Sequence, residues 1–482
     1  MSSLTATKTA PAATKAKSAA GKDKAASVKA AAVASAATPA AQSTLPASWQ
    51  LVNARLPVSL TDAPLTPDAE GLARVTLTIT GSRVTALAAW DAGSEPAQGA
   101  FDAQGGIVMP SFIDAHVHLD KGHIWPRAPN PDGTFASALA ATGADRTAHW
   151  QAADVKTRME FGLKCAYAHG TKALRTHLDS LGPQTRVSWP VFAELREVWA
   201  GRIDLQASPL FGIEHMLDDA HVRDVCDMIE SCGGPSPTLG AVAYMGPDLH
   251  EGLDRMFRIA SDNGWNLDFH ADETNNPDAA ALRAIAQTAL QFKFQQRILA
   301  GHCCSLAVQS QDEAAHTIAL VAQAGISVVS LPICNMYLQD RAADRNTLRT
   351  PRWRGVTPLQ ELKAAGVDVM IASDNTRDPF LAYGDLDMLE VWREGTRILH
   401  LDHPFSAWAD CVTAAPAHGL GLDDCGRLQR GGMADFTLFR ARSMTELFAR
   451  PQSDRAVYRA GVKIAAALPD YQELDHLLGL AV

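Results

Sequence analysis

Pro110-Ser-Phe-Ile-Asp-Ala-His-Val-His-Leu-Asp120 is an apolar run that ends in two histidines, His116 and His118, one residue apart. In a strand, residues i and i+2 point to the same side, so both imidazoles leave one face. Two imidazoles on one face are a natural pair of metal ligands. A hydrogen-bonded pair of core histidines is the competing reading, and later apolar runs decide between them. His270 ends the run 267–270, His302 ends 297–302, and Asp374 follows 367–373. Metal-binding side chains where four separate apolar runs stop are the pattern of a parallel barrel, whose active site lies at the C-terminal strand ends. Imidazoles with a carboxylate suit Zn2+ or Fe2+.

Working outward, the eight strand-like runs are 107–118, 171–177, 203–209, 239–244, 267–270, 297–302, 326–331 and 367–373. Helical stretches fall between them, as at 154–169, 279–290 and 357–365. Strand and helix in alternation predict an α/β chain with a (β/α)8 TIM-type barrel over 107–421. Short β-like runs at 51–56, 73–80, 84–89, 434–439 and 457–464 predict a small β-sandwich domain built from both ends of the chain, 46–106 and 422–482. Residues 1–45 are mostly Ala, Ser, Thr and Pro with six lysines and one acid. They have little apolar area to bury and are expected to form a disordered tail. A secretory leader is the rival reading, but the apolar part lacks leucines.

A length of 482 residues, 47% hydrophobic and 20% charged, suits a large globular enzyme. The formal net charge of −10 argues against a nucleic-acid partner, which would want a basic stripe. It fits a small-molecule substrate. The eight cysteines include no Cys-x-x-Cys pair and read as reduced thiols in a cytoplasm. No run approaches the ~20 apolar residues of a membrane span, so no membrane partner is expected.

Five segments resemble the amidohydrolase superfamily, and within it the cytosine deaminase branch. They are 110–120, Leu174-Arg-Thr-His-Leu-Asp179, Asp268-Phe-His-Ala-Asp-Glu273, Ala300-Gly301-His302-Cys303 and Ala372-Ser-Asp-Asn-Thr-Arg-Asp-Pro379; Asn335-Met-Tyr-Leu-Gln-Asp340 supports them. The resemblance implies that His116, His118, His270 and Asp374 hold one divalent metal ion per subunit, Fe2+ or Zn2+. It further implies that Glu273 shuttles protons and that His302 orients the attacking water. Asp374 would be ligand and base at once. Two-metal relatives bridge their ions with a carboxylated lysine on the fourth strand, whereas no lysine occurs here between Lys172 and Lys293, so a single ion is expected. The relatives form oligomers, so a homo-oligomer is expected as well.

Substrate contacts are read less directly. Leu210 stands where cytosine deaminases carry a glutamine for the pyrimidine edge, and leucine cannot pair with an amide. Asn375 replaces an acid after the metal aspartate and is closer to relatives that remove alkylamines from triazine rings. Phe380 replaces a larger aromatic at the pocket wall. His177 and Asp179 end the second strand, where support of the site and plain strand-end hydrogen bonding fit equally; His177 is also taken as a candidate substrate contact. The expected activity is hydrolytic deamination of an amino-bearing nitrogen heterocycle, cytosine or a related ring. Opening of a cyclic amide, or release of an alkylamine, is the second reading. A non-catalytic binding protein on this fold would have lost a ligand or the acid, and all are present.

Overall fold

The structure, a computed structural model, describes residues 48–93, 95–342 and 349–479. The tail expected at 1–45 lies outside the described residues. Strand β2 (Leu72–Thr80) shows why the first sheet forms: Val75, Leu77 and Ile79 are buried, and Thr76 and Thr78 alternate with them at the surface side. With β1 (Ser48–Pro57), β3 (Arg83–Ala89) and β4 (Phe101–Asp102) it makes a four-stranded sheet in the order β3-β2-β1-β4.

The expected strand 107–118 divides at Ser111. Its first part, β5 (Val108–Pro110), pairs antiparallel with a strand from the far end of the chain. Its second part, β6 (Phe112–Val117), starts the barrel. Pro110 has no N–H to continue a ladder. After it, Ser111 N turns to Asp435 O while Phe112 N turns to Gly170 O. One apolar run thus serves two sheets.

The barrel strands are β6, β7 (Thr171–Asp179), β8 (Asp204–Leu210), β9 (Thr238–Ala243), β10 (Asn266–Ala271), β11 (Ile298–His302), β12 (Ile326–Ser330) and β13 (Val369–Ile371). All their pairings are parallel. They run as a three-stranded piece, β6-β7-β8, and a five-stranded piece, β9 to β13. Single parallel bridges close the two gaps, Gly212 with Val242 and Val117 with Asp374. The result is a closed ring with helices between successive strands. Its interior is unusually polar: Arg175 donates to Asp268 at 3.0 Å and to Gln206, all buried within the strands.

The chain ends with β14 (Phe436–Leu438), β15 (Ala456–Arg459) and β16 (Val462–Lys463), which join β5 in the order β16-β15-β14-β5. This sheet shares one apolar core with the first, made of Leu51, Leu56, Val75, Leu77 and Ile79 against Val108, Phe436 and Tyr458. Two sheets face to face over a common core make a sandwich. Phe436 lies at its centre, stacked on Tyr458 at 4.5 Å and tilted against Trp49 at 6.5 Å. Phe436→Ala is expected to cost about 3–5 kcal/mol of folding stability, the range for emptying an aromatic core site. Denaturant unfolding checks this, and a loss below about 1 kcal/mol would mean the sheets do not depend on that core.

Candidate active site

His116 is the last but one residue of β6, with its ring inside the barrel, and His118 follows just past the strand on the same side. β10 brings His270 beside them, and the bridge from Val117 to Asp374 brings the carboxylate. The three imidazoles meet through Nε2: His116 to His270 is 3.0 Å and His270 to His118 is 3.3 Å. Asp374 Oδ1 lies 3.1 Å from His118 Nε2 and 3.7 Å from His116 Nε2. Burial pushes all three imidazoles well below the usual histidine range, so the rings are neutral with lone pairs to offer. Burial likewise raises Asp374 to about 7.

Converging neutral nitrogens leave too few protons to satisfy one another. Nδ1 of both His116 and His118, and both Asp374 oxygens, are buried without a hydrogen-bond partner. Buried polar atoms are rarely left so. A divalent cation among the three Nε2 atoms would partner the orphaned Asp374 carboxylate and accept the Nε2 lone pairs, leaving the imidazole protons on Nδ1, and the residues present fit one.

His302 sits on a backbone with φ of +67°, and Asp374 on one of +64°. Both are left-handed conformations that a non-glycine residue keeps only when its surroundings enforce them. For His302 the enforcement includes Thr357 Oγ1 donating to its carbonyl at 2.6 Å. Asn335 Nδ2 lies 3.0 Å from Glu273 Oε1 and 3.0 Å from His302 Nδ1. An amide nitrogen only donates, so His302 Nδ1 accepts and its proton sits on Nε2. That Nε2–H is buried with no protein partner. Burial, then the Asp374 charge, raises the Glu273 carboxyl well above its usual value. Glu273 is thus poised to hold a proton.

These groups form the floor of a cavity of about 540 Å³, within the range of small-molecule sites. Leu210, Asn375 and Phe380 line it, as does Lys121. Asn375 Nδ2 is spent on Asp378, at 2.7 Å. His177 does not line the cavity, against the expectation of substrate contact. Its ring packs 4.0 Å from that of His116, and its Nε2 lies 3.1 Å from Asp268 Oδ1. The inward period of β7 puts it against the imidazole cluster, between Arg175 and the cavity-lining Asp179.

Reasoning from sequence alone missed Asn335 as the link between Glu273 and His302. It also missed the network in which Asp179 takes Lys121 at 2.7 Å and Arg146 at 2.8 Å. The supporting stretch 335–340 was the available signal for Asn335. Nothing local marked Arg146, which reaches the site from a helix.

The model of the amidohydrolase family matches residues 215–464. A pterin deaminase of Rhizobium rhizogenes strain K84 is 51% identical over 430 residues, covering 89% of this chain and 96% of that protein. The chain belongs to the amidohydrolase family. It is a hydrolase of carbon–nitrogen bonds other than peptide bonds. The N-isopropylammelide isopropyl amidohydrolase of Pseudomonas sp. strain ADP is 22% identical over 357 residues, 71% of this chain and 82% of that one. The crystal structure of 5-methylcytosine deaminase from Klebsiella pneumoniae shares the fold, with a TM-score of 0.74 at 24% identity over 88% of this chain and 98% of that one.

For this amidohydrolase, replacing both His116 and His118 by Ala is expected to abolish tight metal binding and nearly all turnover. Metal analysis of the wild type should find one equivalent per chain. A full equivalent retained in the double variant would refute the ligand set, as would two ions at full occupancy in the wild type.

Proposed function

We propose that the chain is a metal-dependent hydrolytic deaminase of a fused, amino-bearing nitrogen heterocycle of the pterin class. The observation that carries the reaction type is Glu273 and His302, joined by Asn335, beside the converging imidazoles of His116, His118 and His270 and the Asp374 carboxylate. The 51% identity to a pterin deaminase supports the ring. So does Leu210 on the cavity wall, which offers no amide to a cytosine edge.

In this reading His116, His118, His270 and Asp374 hold one divalent ion, Fe2+ or Zn2+. When bound, the ion lowers the pKa of water to roughly 7 and so supplies a nucleophile at neutral pH. His302 donates from Nε2 and orients the attacking oxygen. Water adds to the ring carbon that bears the amine. Glu273 takes one proton from that water and passes it to the ring nitrogen, opening the C=N bond to a tetrahedral carbon. The remaining hydroxyl proton passes to the amine through Glu273 or Asp374, the C–N bond breaks, and ammonia leaves as the carbonyl forms. Glu273 serves as acid and base in turn, and burial, which raises its carboxyl well above the usual range, favours the protonated form it must pass through.

The eight cysteines are all free, which supports a reducing, cytoplasmic setting. No helix among the described residues is long and apolar enough to cross a membrane. The proposal includes a homo-oligomer, on the resemblance alone.

The test is amine release by the metal-loaded enzyme: ammonia from pterin and cytosine, and the alkylamine from an alkylaminotriazine. Pterin should be turned over fastest. Glu273→Gln should keep its metal and lose about 10²–10⁴-fold in kcat, the usual worth of general acid–base catalysis. Turnover of Glu273→Gln within about tenfold of wild type would remove Glu273 from the proton path. Faster release from the triazine than from pterin would overturn the ring assignment.

A further inference from the structure

We propose that the mouth of the cavity is a binding subsite for a neutral aryl substituent carried on the heterocycle. The proposal rests on the deaminase reading above and adds what the ring carries. Single exposed apolar residues are ordinary, but a cluster around a cavity marks a binding surface. Here Phe135 (39% exposed), Leu139 (54%), Tyr244 (45%) and Met245 (49%) all line the one cavity that holds Glu273 and Asp374.

The four come from two walls. Phe135 and Leu139 are one turn apart on the helix Phe135–His149, and so share a face. Thr142 and Arg146 continue the cavity-lining row along that helix. Tyr244 and Met245 directly follow β9, three strands round the ring from β6, whose chain leads into that helix. Phe135 meets the buried Phe380 edge-on, with ring centroids 5.6 Å apart and planes at 69°. The Tyr244 hydroxyl donates to Glu214 at 2.5 Å, which fixes that ring at the rim. Flat aromatic faces and a polarisable thioether suit an aryl guest, with geometry-dependent gains beyond area alone.

Charge narrows the guest further. Lys121 and Arg146 are the two Lys or Arg side chains lining the cavity among the described residues, and both are held by Asp179. Asp272 accepts from the backbone N–H of Ala281 and Leu282 at 2.9 Å each. A carboxylate at the mouth would have to compete with Asp179 for either cation, and a neutral substituent fits best. The polar floor takes the amino-bearing ring, and most of the remaining wall is apolar.

The experiment compares kcat/KM of the full-chain, metal-loaded enzyme for pterin and for its phenyl-substituted derivative. The phenyl compound is expected to be preferred by roughly tenfold or more, the scale on which apolar pockets discriminate. In the double variant Leu139→Asn/Met245→Gln, and separately in Tyr244→Ser, the ratio should fall toward one, mainly through KM. A ratio is internally controlled, so partial misfolding that lowers both rates alike does not imitate the effect. A wild-type ratio at or below one overturns the proposal, as does a ratio unmoved in both variants. If neither compound is turned over, the deaminase reading fails separately. Equilibrium binding then decides the subsite: tighter binding of the phenyl derivative upholds it, and equal or absent binding sinks it. Sedimentation of the double variant covers the remaining occupant. Loss of an oligomer with an unchanged substrate ratio would assign this surface to a second copy of the chain instead.

Discussion

The backbone N–H of Asp374 donates to the carbonyl of His116 at 2.8 Å, and the site depends on that contact. It is where the last barrel strand meets the first. The junction is only a single bridge, so other groups must hold it. Asp114 does so from below by accepting the N–H of Ser373 at 3.0 Å, with its carboxyl raised to about 7 by burial. Closing the ring here puts the carboxylate of one chain end against the imidazole pair of the other. It also forces Asp374 into a left-handed backbone, which turns its side chain inward where an extended strand would alternate past the site. The strain belongs to the junction and is sustained by it.

From that junction, support runs downward and outward. Beneath the imidazoles, His177 leans on His116 and is fixed by Asp268, which Arg175 holds in turn. A barrel interior filled with apolar side chains would place nothing to orient His116 at this level. Outward, Arg127 grips both Asp145 and Asp154, and the fully buried Arg158 binds Asp154 and the carbonyls of Asp120 and Gly122. Asp145 lies on the helix that carries Phe135 and Leu139, and Asp120 lies just past His118. A buried ionic network with every partner hydrogen-bonded ties the mouth of the cavity to its floor.

What could be read from the chain follows from where the information lies. The pair at His116 and His118 is a local pattern with period two, and each later site residue ends its own apolar run, so the barrel and the floor were legible. The division of 107–118 at Ser111 was not, because its cause is pairing with β14, more than three hundred residues away. Asn335 and Arg146 were likewise hidden, since their meaning lies in what the fold brings to them. His177 was read both as support for the site and as a substrate contact, and it does not line the cavity. Its position at a strand end was read correctly, but strand ends close to the axis can face the ligands from beneath as well as the substrate from above.

The division of labour inside the cavity explains how one floor can serve different rings. The groups proposed to carry protons stand just past strand ends, Glu273 two residues after β10 and Asp374 three after β13, where small displacements would be costly. The groups that meet the rest of a substrate stand on a helix and on turns between strands, which can change without reopening the ring. Leu210 sits at the border of the two. An amide there could pair with a polar ring edge, but it would be left unsatisfied by any guest that turned an apolar edge toward it, at about 1–3 kcal/mol. Leucine avoids that penalty and gives up the pairing. In the proposed reading, selection of the ring is thereby shifted away from β8, toward the floor that would read the amino group and the walls that would read what the ring carries.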